Sequence, residues 1–222
     1  MLKLNNVTKI YSRGSEHVHA VRDLSLEIAQ GDYVGVVGPS GSGKSTLMNM
    51  IGLLDAPTAG DVFIADRRVT DLDGRQLNRL RRETIGFIFQ QFLLIPTMTA
   101  LQNVMLPLYF AGAADAKQKA MVLLRRVGLE KRAEHLPSQM SGGEMQRTAI
   151  ARALANKPRI LLADEPTGNL DSKTADDIYS LFSEINREGT TIVMVTHNQD
   201  LASTFPRKIT MRDGRLEKNE KQ

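Results

Sequence analysis

The chain has 222 residues, of which 41% are hydrophobic, and it contains no cysteine. This length suits one domain, or one domain with a subdomain, and the apolar content is enough for a buried core. Without cysteine there can be no disulfide, thiolate metal site or cysteine nucleophile. The net charge of +4 is compatible with a phosphate-rich partner, although a solvated basic surface is the simpler interpretation.

The sequence also argues against a secreted or membrane-spanning chain. The segment MLKLNNVTKIY (1–11) lacks the apolar region of a signal peptide. The apolar runs elsewhere are shorter than the roughly 20 residues that a bilayer span requires. We therefore expect no direct membrane insertion, and any contact with a membrane would run through a partner.

The first third of the chain predicts strands on either side of a helix. LSLEI (24–28) alternates like a half-buried strand, and VGVV (34–37) has the composition of a buried one. A helix is predicted over STLMNMIGLL (45–54), and VFIADRRV (62–69) predicts a hairpin after a turn-rich segment. The polar stretch SRGSEHVHAV (12–21) is predicted to be a loop.

His17 and His19 lie in that polar stretch. Their spacing alone is no metal signature, because no further ligand accompanies them. We assign them no function.

Three further strands are predicted along the rest of the chain. They are TIGFIFQQF (84–92), ILLAD (160–164) and TTIVMVTH (190–197). Helical patterns precede the last two, which favours a mostly parallel sheet. The sequence therefore indicates an α/β protein.

The pattern changes between about residues 99 and 156, where strand patterns are lacking. TALQNV (99–104) and DAKQKAMVLLRRVGL (115–129) predict helices, and Gly128 is placed as the residue that ends the second one. We predict one domain over 1–222 with a helical subdomain, approximately 99–156, inserted within it.

The stretch QMSGGEMQR (139–147) predicts a helix start with an unusual feature. Ser141 and Glu144 have the spacing of a capping box. Gly142 and Gly143 are unexpected between them, because each glycine costs about 1 kcal/mol in a helix relative to alanine. The glycines indicate that another surface approaches the bare backbone N–H groups closely.

GPSGSGKST (38–46) carries the strongest chemical signal. It fits the pattern G-x-x-x-x-G-K-[ST] and has the required strand before it and helix after it. In such a loop the backbone N–H groups and the helix N-terminus bind phosphate. Lys44 would reach the β- and γ-phosphates, and the Ser45 hydroxyl would bind Mg²⁺. The alternative is a glycine- and serine-rich turn that binds no ligand.

Two adjacent acids supply the other half of a hydrolytic set. Asp164 ends an apolar strand, and the carboxyl ends of parallel strands face the ligand crevice. It is a candidate to bind Mg²⁺ and its waters, and Glu165 is a candidate to act on the attacking water. Each has a simpler interpretation, Asp164 as a surface acid and Glu165 as an acid at a helix start beside a proline.

The ordered set GPSGSGKST, QQF, SGGEMQR, ILLADEPTGNLD and VTH resembles the nucleotide-binding subunit of an ABC transporter along nearly the whole chain. The resemblance implies a P-loop NTPase (RecA-like) core with a mostly parallel sheet, an antiparallel β subdomain and an inserted α-helical subdomain. It implies an ATPase that uses ATP and Mg²⁺. The Walker A loop would comprise Gly38, Pro39, Ser40, Gly41, Ser42, Gly43, Lys44, Ser45 and Thr46.

The same resemblance implies roles for four further residues. Tyr11 would stack on adenine, and Gln90 would contact Mg²⁺ or the attacking water and link to the membrane subunit. Asp171 resembles the D-loop aspartate, and His197 the switch histidine near the γ-phosphate. The alternatives are a core-edge aromatic for Tyr11, a polar strand end for Gln90 and an ordinary surface histidine for His197.

The family pattern also implies a catalytic group and a metal set. The catalytic residues would be Glu165, with Asp164 beside it as the Walker B acid, together with His197, Gln90 and Lys44. The Mg²⁺ ligands would be Ser45, Gln90 and Asp164.

In this family two subunits pair head to tail, so the resemblance implies a homodimer in the ATP-bound state. Ser141, Gly142 and Gly143 of one subunit would then face the γ-phosphate held by Lys44 of the other. The usual signature is LSGGQ, and this chain has Met140 and Glu144 at the outer positions. The resemblance implies that Glu144 contacts the ribose of the nucleotide, to which it brings a negative charge.

Three segments together resemble the lipoprotein-release and macrolide-export type. They are SRGSEHVHAV (12–21), GFIFQQFLLIPTMTALQNVMLPL (86–108) and ADEPTGNLDSKT (163–174). The implied partner is an integral membrane permease, which would hold this cytoplasmic subunit at the inner face of the cell membrane. Antimicrobial-peptide exporters share these features, and the transported substrate stays open.

Two other functions are compatible with parts of the sequence. An ABC-type ATPase that acts on nucleic acid or ribosomes would explain the basic charge, but such proteins usually carry two nucleotide domains or long coiled coils, so we expect no nucleic acid partner. A P-loop kinase or GTPase would leave SGGEMQR without a role. Hydrolysis of ATP and GTP without an added acceptor distinguishes these functions.

Overall fold

The structure is a computed structural model, and it describes residues 1–14, 16–197 and 199–221. Its strands are β1 (Leu2–Arg13), β2 (Glu16–Ile28), β3 (Tyr33–Val37), β4 (Ala59–Ile64), β5 (Arg67–Arg68), β6 (Ile85–Phe89), β7 (Ile160–Asp164), β8 (Thr191–Val195), β9 (Arg207–Arg212) and β10 (Arg215–Lys221). Its α-helices are α1 (Lys44–Ile51), α2 (Gly74–Thr84), α3 (Ala100–Phe110), α4 (Ala116–Arg126), α5 (Gly142–Ala153), α6 (Ser172–Arg187) and α7 (Gln199–Ala202). Short 3-10 turns cover Val69–Asp71, Glu130–Arg132 and Pro137–Gln139.

The chain divides into two compact units. The first unit combines Met1–Arg81 with Thr191–Gln222, and the second is Arg82–Thr190. The parallel strands and the separate antiparallel sheet confirm the predicted α/β class.

In the first unit, β2, β1, β4 and β5 pair in that order as an antiparallel sheet. The pairing of β4 with β5 confirms the predicted hairpin. The loop predicted over 12–21 is wrong, because β2 already pairs with β1 there, with His19 opposite Ile10. Residues 16–19 are all exposed, so backbone pairing rather than side-chain burial holds this part of the strand and no apolar alternation marks it.

The other sheet strands of the first unit lie around β3. It pairs in parallel with β8 and β9, and β9 pairs antiparallel with β10. Val34 and Val36 of β3, Leu47 and Ile51 of α1 and Phe205 are almost fully buried. This apolar packing fixes the end of β3, from which the loop 38–43 runs directly into α1.

In the second unit, β6 and β7 form a parallel pair that ends with Phe89 opposite Asp164. The predicted strand 84–92 is shorter than expected, since the chain turns at Gln90. Helix α4 ends as predicted, with Gly128 at φ +77° after the capping residue Val127.

Helices α3, α4 and α5 lie within the stretch 99–156, for which the sequence predicts helices. Thr99 caps α3 in a capping box with Gln102. The boundaries of an inserted helical subdomain stay a prediction. No helix in the described part of the chain is both long and apolar enough to cross a membrane.

Candidate nucleotide-binding site

The phosphate loop, residues 38–46, follows β3 and enters α1 through a glycine that no other residue could replace without strain. Gly43 has φ +99°, and a Cβ on it would lie 2.3 Å from the Ala20 carbonyl oxygen. No side chain in the described part of the chain caps this helix start. Without a side-chain cap, the N–H groups of the first turn are available to an anion.

Two buried polar side chains line the same loop. Lys44 is 8% exposed, and its Nζ donates hydrogen bonds of 2.8 Å to the carbonyl oxygens of Gly38 and Pro39. Ser42 Oγ is buried and has no hydrogen-bond partner among the described residues. A buried cation and an unsatisfied hydroxyl fit phosphate oxygens, which would supply acceptors for both.

Two other loop positions, Ser45 and Thr46, lie on the first turn of α1. Ser45 is exposed, and Thr46 beside it is partly buried. The Ser45 hydroxyl is thus placed where a bound metal could reach it, and oxygen donors are what Mg²⁺ prefers.

Tyr11 on β1 is 40% exposed and is held from two sides. Its hydroxyl donates to Asp55 Oδ2 at 2.8 Å, and Lys9 Nζ lies 5.0 Å from the ring centroid while bonding Asp55 Oδ1 at 2.5 Å. Burial raises the pKa of the Tyr11 hydroxyl, and the bond to Asp55 adds to the effect. An exposed ring with a fixed hydroxyl can offer a face to a base.

His197, the last predicted site residue of the first unit, follows β8 after Thr196 and is exposed. It therefore lies at the carboxyl end of a parallel strand, as predicted.

In the second unit, Asp164 is the last residue of β7, and Glu165 begins the turn after it. Glu165 has φ +46°, and its carbonyl accepts a hydrogen bond from the Gly168 N–H at 3.1 Å. A non-glycine residue in the left-handed region is strained and persists only when its surroundings fix it. The fully buried Gln146 does so in part, because its Nε2 donates to the Pro166 carbonyl at 2.6 Å.

Gln90 is tied to the turn that follows β7. Asn169 Nδ2 donates to the Gln90 carbonyl at 3.0 Å, and Gln90 Nε2 lies 3.4 Å from Asn169 Oδ1. The predicted Q-loop glutamine and the residues after Glu165 are thus brought together within this unit.

The signature helix α5 begins with the predicted capping box. Ser141 Oγ accepts from the Glu144 N–H at 3.2 Å, and Glu144 Oε2 accepts from the Ser141 N–H at 2.8 Å. Glu144 Oε1 also accepts from Arg132 Nε at 3.0 Å. The hydrogen bond from the Ser141 N–H is the main cause that lowers the pKa of Glu144, with Arg132 contributing.

Gly142 and Gly143 have close neighbours inside their own unit. A Cβ on Gly143 would lie 2.5 Å from Thr174 Cγ2, and one on Gly142 would lie 3.2 Å from Leu170 Cδ2. The sequence indicates that another surface approaches these glycines. It does not reveal that part of this surface, Thr174 and Leu170, belongs to the same unit. Packing against the start of α6 is one physical reason for them.

Asp171 caps α6. Its carboxylate accepts from the Thr174 N–H at 3.0 Å and from the Thr174 hydroxyl at 2.6 Å. The hydrogen bond from the Thr174 hydroxyl is the first cause that lowers the pKa of Asp171. The carboxylate is therefore occupied as a helix cap at neutral pH.

Arg152 is a candidate functional residue that the sequence does not reveal. From the last turn of α5 its guanidinium donates to the carbonyls of Leu93 at 2.5 Å and Phe92 at 2.8 Å. Phe92 and Leu93 have φ +58° and +49°, so Arg152 holds a strained turn just after Gln90. No local pattern marks this arginine, because its partners lie about 60 residues away.

Comparisons with known proteins agree with these observations. The sequence profile described as ABC transporter matches residues 21–168. An uncharacterized ABC transporter ATP-binding protein of Methanocaldococcus jannaschii, MJ0796, is 50% identical over 100% of this chain and 97% of its own length. The macrolide export ATP-binding/permease protein MacB of Bdellovibrio bacteriovorus is 46% identical over 100% of this chain, which spans 34% of MacB.

A solved structure is also similar. It is the dimeric post-hydrolysis state of the ATP-binding cassette MJ0796 bound to ADP and Pi. Its TM-score is 0.91 at 48% identity, and the match covers 100% of this chain and 98% of that one.

Proposed function

The chain belongs to the ABC transporter family, and we propose that it is the ATPase subunit that drives a membrane permease of the lipoprotein-release or macrolide-export type. ATP binding and hydrolysis follow from the family and from the cassette that it matches. The observation that carries the permease is the 46% identity, along the whole chain, to one third of MacB, whose name combines ATP-binding and permease parts.

We propose that Lys44 leaves the Gly38 and Pro39 carbonyls for the β- and γ-phosphates, because phosphate oxygens carry more charge than carbonyls. Ser42 Oγ would gain the partner that it lacks among the described residues. Tyr11 would stack on adenine. The family pattern supports these roles, and for Lys44 and Ser42 the geometry of the phosphate loop supports them as well.

The donors assigned to Mg²⁺ suit that ion. Ser45, Gln90 and Asp164 offer a hydroxyl, an amide and a carboxylate oxygen, which are the ligand types that Mg²⁺ takes. Held by these donors, Mg²⁺ would offset the negative charge of the phosphates.

Glu165 is the proposed general base, which takes a proton from the attacking water. Its strained backbone, set by the following turn and by Gln146, would fix where the carboxylate stands. His197 would keep the γ-phosphate in position, and Asn169 would orient Gln90 through the link between them.

We further propose a head-to-tail homodimer that closes on two ATP molecules. The similar cassette MJ0796 is dimeric with ADP and Pi, which supports the proposal. Ser141 and the N-terminus of α5 would then bind the γ-phosphate held by Lys44 of the partner, using the dipole and N–H groups of the helix start.

A groove of the second unit is the proposed docking surface for the permease. Its volume is about 540 Å³. Two charged residues, Lys117 and Glu134, line it together with mostly apolar side chains, as expected for a partner helix. The lining residues are Thr97, Met98, Leu101, Gln102, Met105, Leu106, Tyr109, Lys117 and Glu134. The permease would hold the chain on the cytoplasmic face of the membrane.

Purification from solubilised membranes tests this function. We expect an integral membrane protein with about four spanning helices to accompany the chain and to stimulate its ATPase activity in vesicles. Met98→Asp should abolish both effects and leave basal hydrolysis unchanged. Val122→Asp, at a residue that is 60% exposed and lines a different cavity, is the control. Stimulation by RNA or DNA instead of a membrane protein would contradict the proposal and support the nucleic-acid alternative.

A further inference from the structure

The signature helix of this chain carries a charge where the usual family sequence has glutamine. Glu144 lies in the first turn of α5, the turn that the proposed dimer presents to a triphosphate. Two negative groups in a partly dried interface repel each other more strongly than they would in water. An uncompensated Glu144 would therefore weaken closure around ATP.

The structure contains a group placed to offset that charge. Arg132 lies in the 3-10 turn Glu130–Arg132, just before the signature segment, and donates through Nε to Glu144 Oε1 at 3.0 Å. The other carboxylate oxygen accepts from the Ser141 N–H at 2.8 Å. Both oxygens of Glu144 are thus directed to donors, one from a side chain and one from the helix start.

Arg132 is itself held in place. Its Nη1 lies 3.1 Å from His135 Nε2, and the two residues are one helical turn apart in sequence. A hydrogen bond there requires that His135 Nε2 accept, which the neutral ring can do. The Arg132 side chain is 49% exposed and that of Glu144 is 25% exposed.

Protonation of Glu144 does not remove the repulsion between its carboxylate and the triphosphate. The hydrogen bond from Ser141, followed by Arg132, keeps the pKa of Glu144 below its usual value, so the carboxylate is ionised at neutral pH. A nearby cation can neutralise it, and among the described residues Arg132 is placed to do so.

We infer that Arg132 is a positioning residue that neutralises Glu144 and holds it in the capping box, so that the start of α5 can approach the partner's ATP. The inference rests on the proposed head-to-tail dimer. Arg132 thus compensates for the negative charge that Glu144 introduces where the usual signature has glutamine. Loss of Arg132 leaves the charge of Glu144 without its cation beside the triphosphate, although the hydrogen bond from the Ser141 N–H remains. Replacing Glu144 by glutamine removes the need for Arg132.

A double-mutant cycle in a Glu165→Gln protein tests this inference by sedimentation with ATP. Arg132→Ala should weaken ATP-dependent dimerisation by about tenfold, while Glu144→Gln keeps or tightens it. The double variant Arg132→Ala/Glu144→Gln should dimerise like Glu144→Gln alone. Added salt should reduce the deficit of Arg132→Ala, because the repulsion is electrostatic.

Arg125→Ala is the matched control. It removes another exposed ion pair, in which Arg125 bonds Glu130 at 2.7 Å, and it should leave the dimer unchanged. Such exposed pairs contribute little to folding, so the variants should keep the parent's thermal unfolding midpoint within a few degrees. ATP binding by the monomer should also be unchanged in all of them.

Two results would overturn the inference while leaving the dimer standing. One is an Arg132→Ala protein that dimerises like its parent. The other is an equal loss with and without Glu144→Gln, which would mean that Arg132 acts directly rather than through Glu144. A Glu165→Gln parent that never dimerises with ATP overturns the inference and the proposed dimer together, and is recognised before any Arg132 variant is made.

Discussion

The phosphate loop of the first unit and the signature helix of the second unit both present a helix N-terminus, but they are built differently. The phosphate loop has no side-chain cap among the residues that the structure describes. Its shape comes from the backbone, with Gly43 close to the Ala20 carbonyl, and from Lys44, which bonds the Gly38 and Pro39 carbonyls. The signature helix has a full capping box. Its side chains also reach out to the loops around Gln90 and Glu165 through Arg152 and Gln146.

We interpret this difference as a division between two tasks. The phosphate loop binds the phosphate, and the signature helix couples that binding to other loops. A backbone cradle with an open helix start can bind an anion tightly without any other part of the fold. The side chains of α5 are bonded to two other loops. When a phosphate binds at the start of α5, a movement of the helix can therefore move those loops. We therefore expect substitutions in the phosphate loop to abolish binding, and substitutions along α5 to weaken stability or coupling.

Lys44→Ala should have the largest effect. The phosphates lose their main countercharge, so ATP affinity should fall and turnover should be lost. Phosphate release and equilibrium ATP binding measure the two effects. Lys3→Ala, at an exposed lysine of β1, should leave both unchanged. Full turnover in Lys44→Ala would mean that the phosphate loop is not the catalytic site.

Gly43→Ala should come next, because it meets a clash as well as a strained φ. Its Cβ would lie 2.3 Å from a backbone oxygen, so the loop must move and ATP binding should fall by at least tenfold. Strain of this kind costs about 1–3 kcal/mol. Gly112→Ala has a similar φ, +75°, with open space around it, and should show the smaller cost of φ alone without loss of binding. Equal effects of the two substitutions would contradict the close approach.

Arg152→Met should mainly affect stability and coupling in the second unit. It removes two charge-assisted hydrogen bonds to Phe92 and Leu93, and we expect the free energy of unfolding to fall by about 2–3 kcal/mol. Denaturant unfolding measures the loss, and permease-stimulated ATPase should fall more than basal ATPase. Arg125→Met, which removes an exposed pair, should cost at most about 1 kcal/mol. Equal losses of unfolding free energy in the two variants would show that the hydrogen bonds of Arg152 stabilise the protein no more than an exposed ion pair does.

Asp55→Asn should have the smallest effect, and the effect should depend on pH. Burial alone would raise the pKa of Asp55, but hydrogen bonds from Lys9 and Tyr11 outweigh it and hold the pKa below its ordinary value. A lowered folded-state pKa gives stabilisation that is present above the unfolded value and is lost as pH falls through the folded value. The wild type should thus be more stable than Asp55→Asn by about 1 kcal/mol at neutral pH.

That advantage should shrink below about pH 4, near the usual pKa of an aspartate. Urea unfolding at several pH values measures it. A difference that is constant down to pH 2 would mean that the charge of Asp55 is not responsible.

The sequence predicts the phosphate loop and the capping box because both are local. The residues from Gly38 to Thr46 lie on one strand–turn–helix segment, and Ser141 and Glu144 are one turn apart. The contacts of Arg152 and Gln146 bridge 60 and 20 residues, so no local pattern reveals them. The strand at 16–19 escaped prediction because its side chains are all exposed, so that no burial pattern marks it, while its backbone is paired.

The most direct test of the account is the ATP-dependent dimer of Glu165→Gln, measured by sedimentation with and without nucleotide. Removing the proposed base should reduce turnover by roughly 100-fold or more, and removing its charge should lessen repulsion of the triphosphate. The account predicts a monomer without nucleotide and a long-lived dimer with ATP, and Ser141→Arg in the same protein should abolish that dimer. A Glu165→Gln protein that binds ATP and stays monomeric would contradict the head-to-tail arrangement, and one that hydrolyses ATP normally would contradict the role of Glu165.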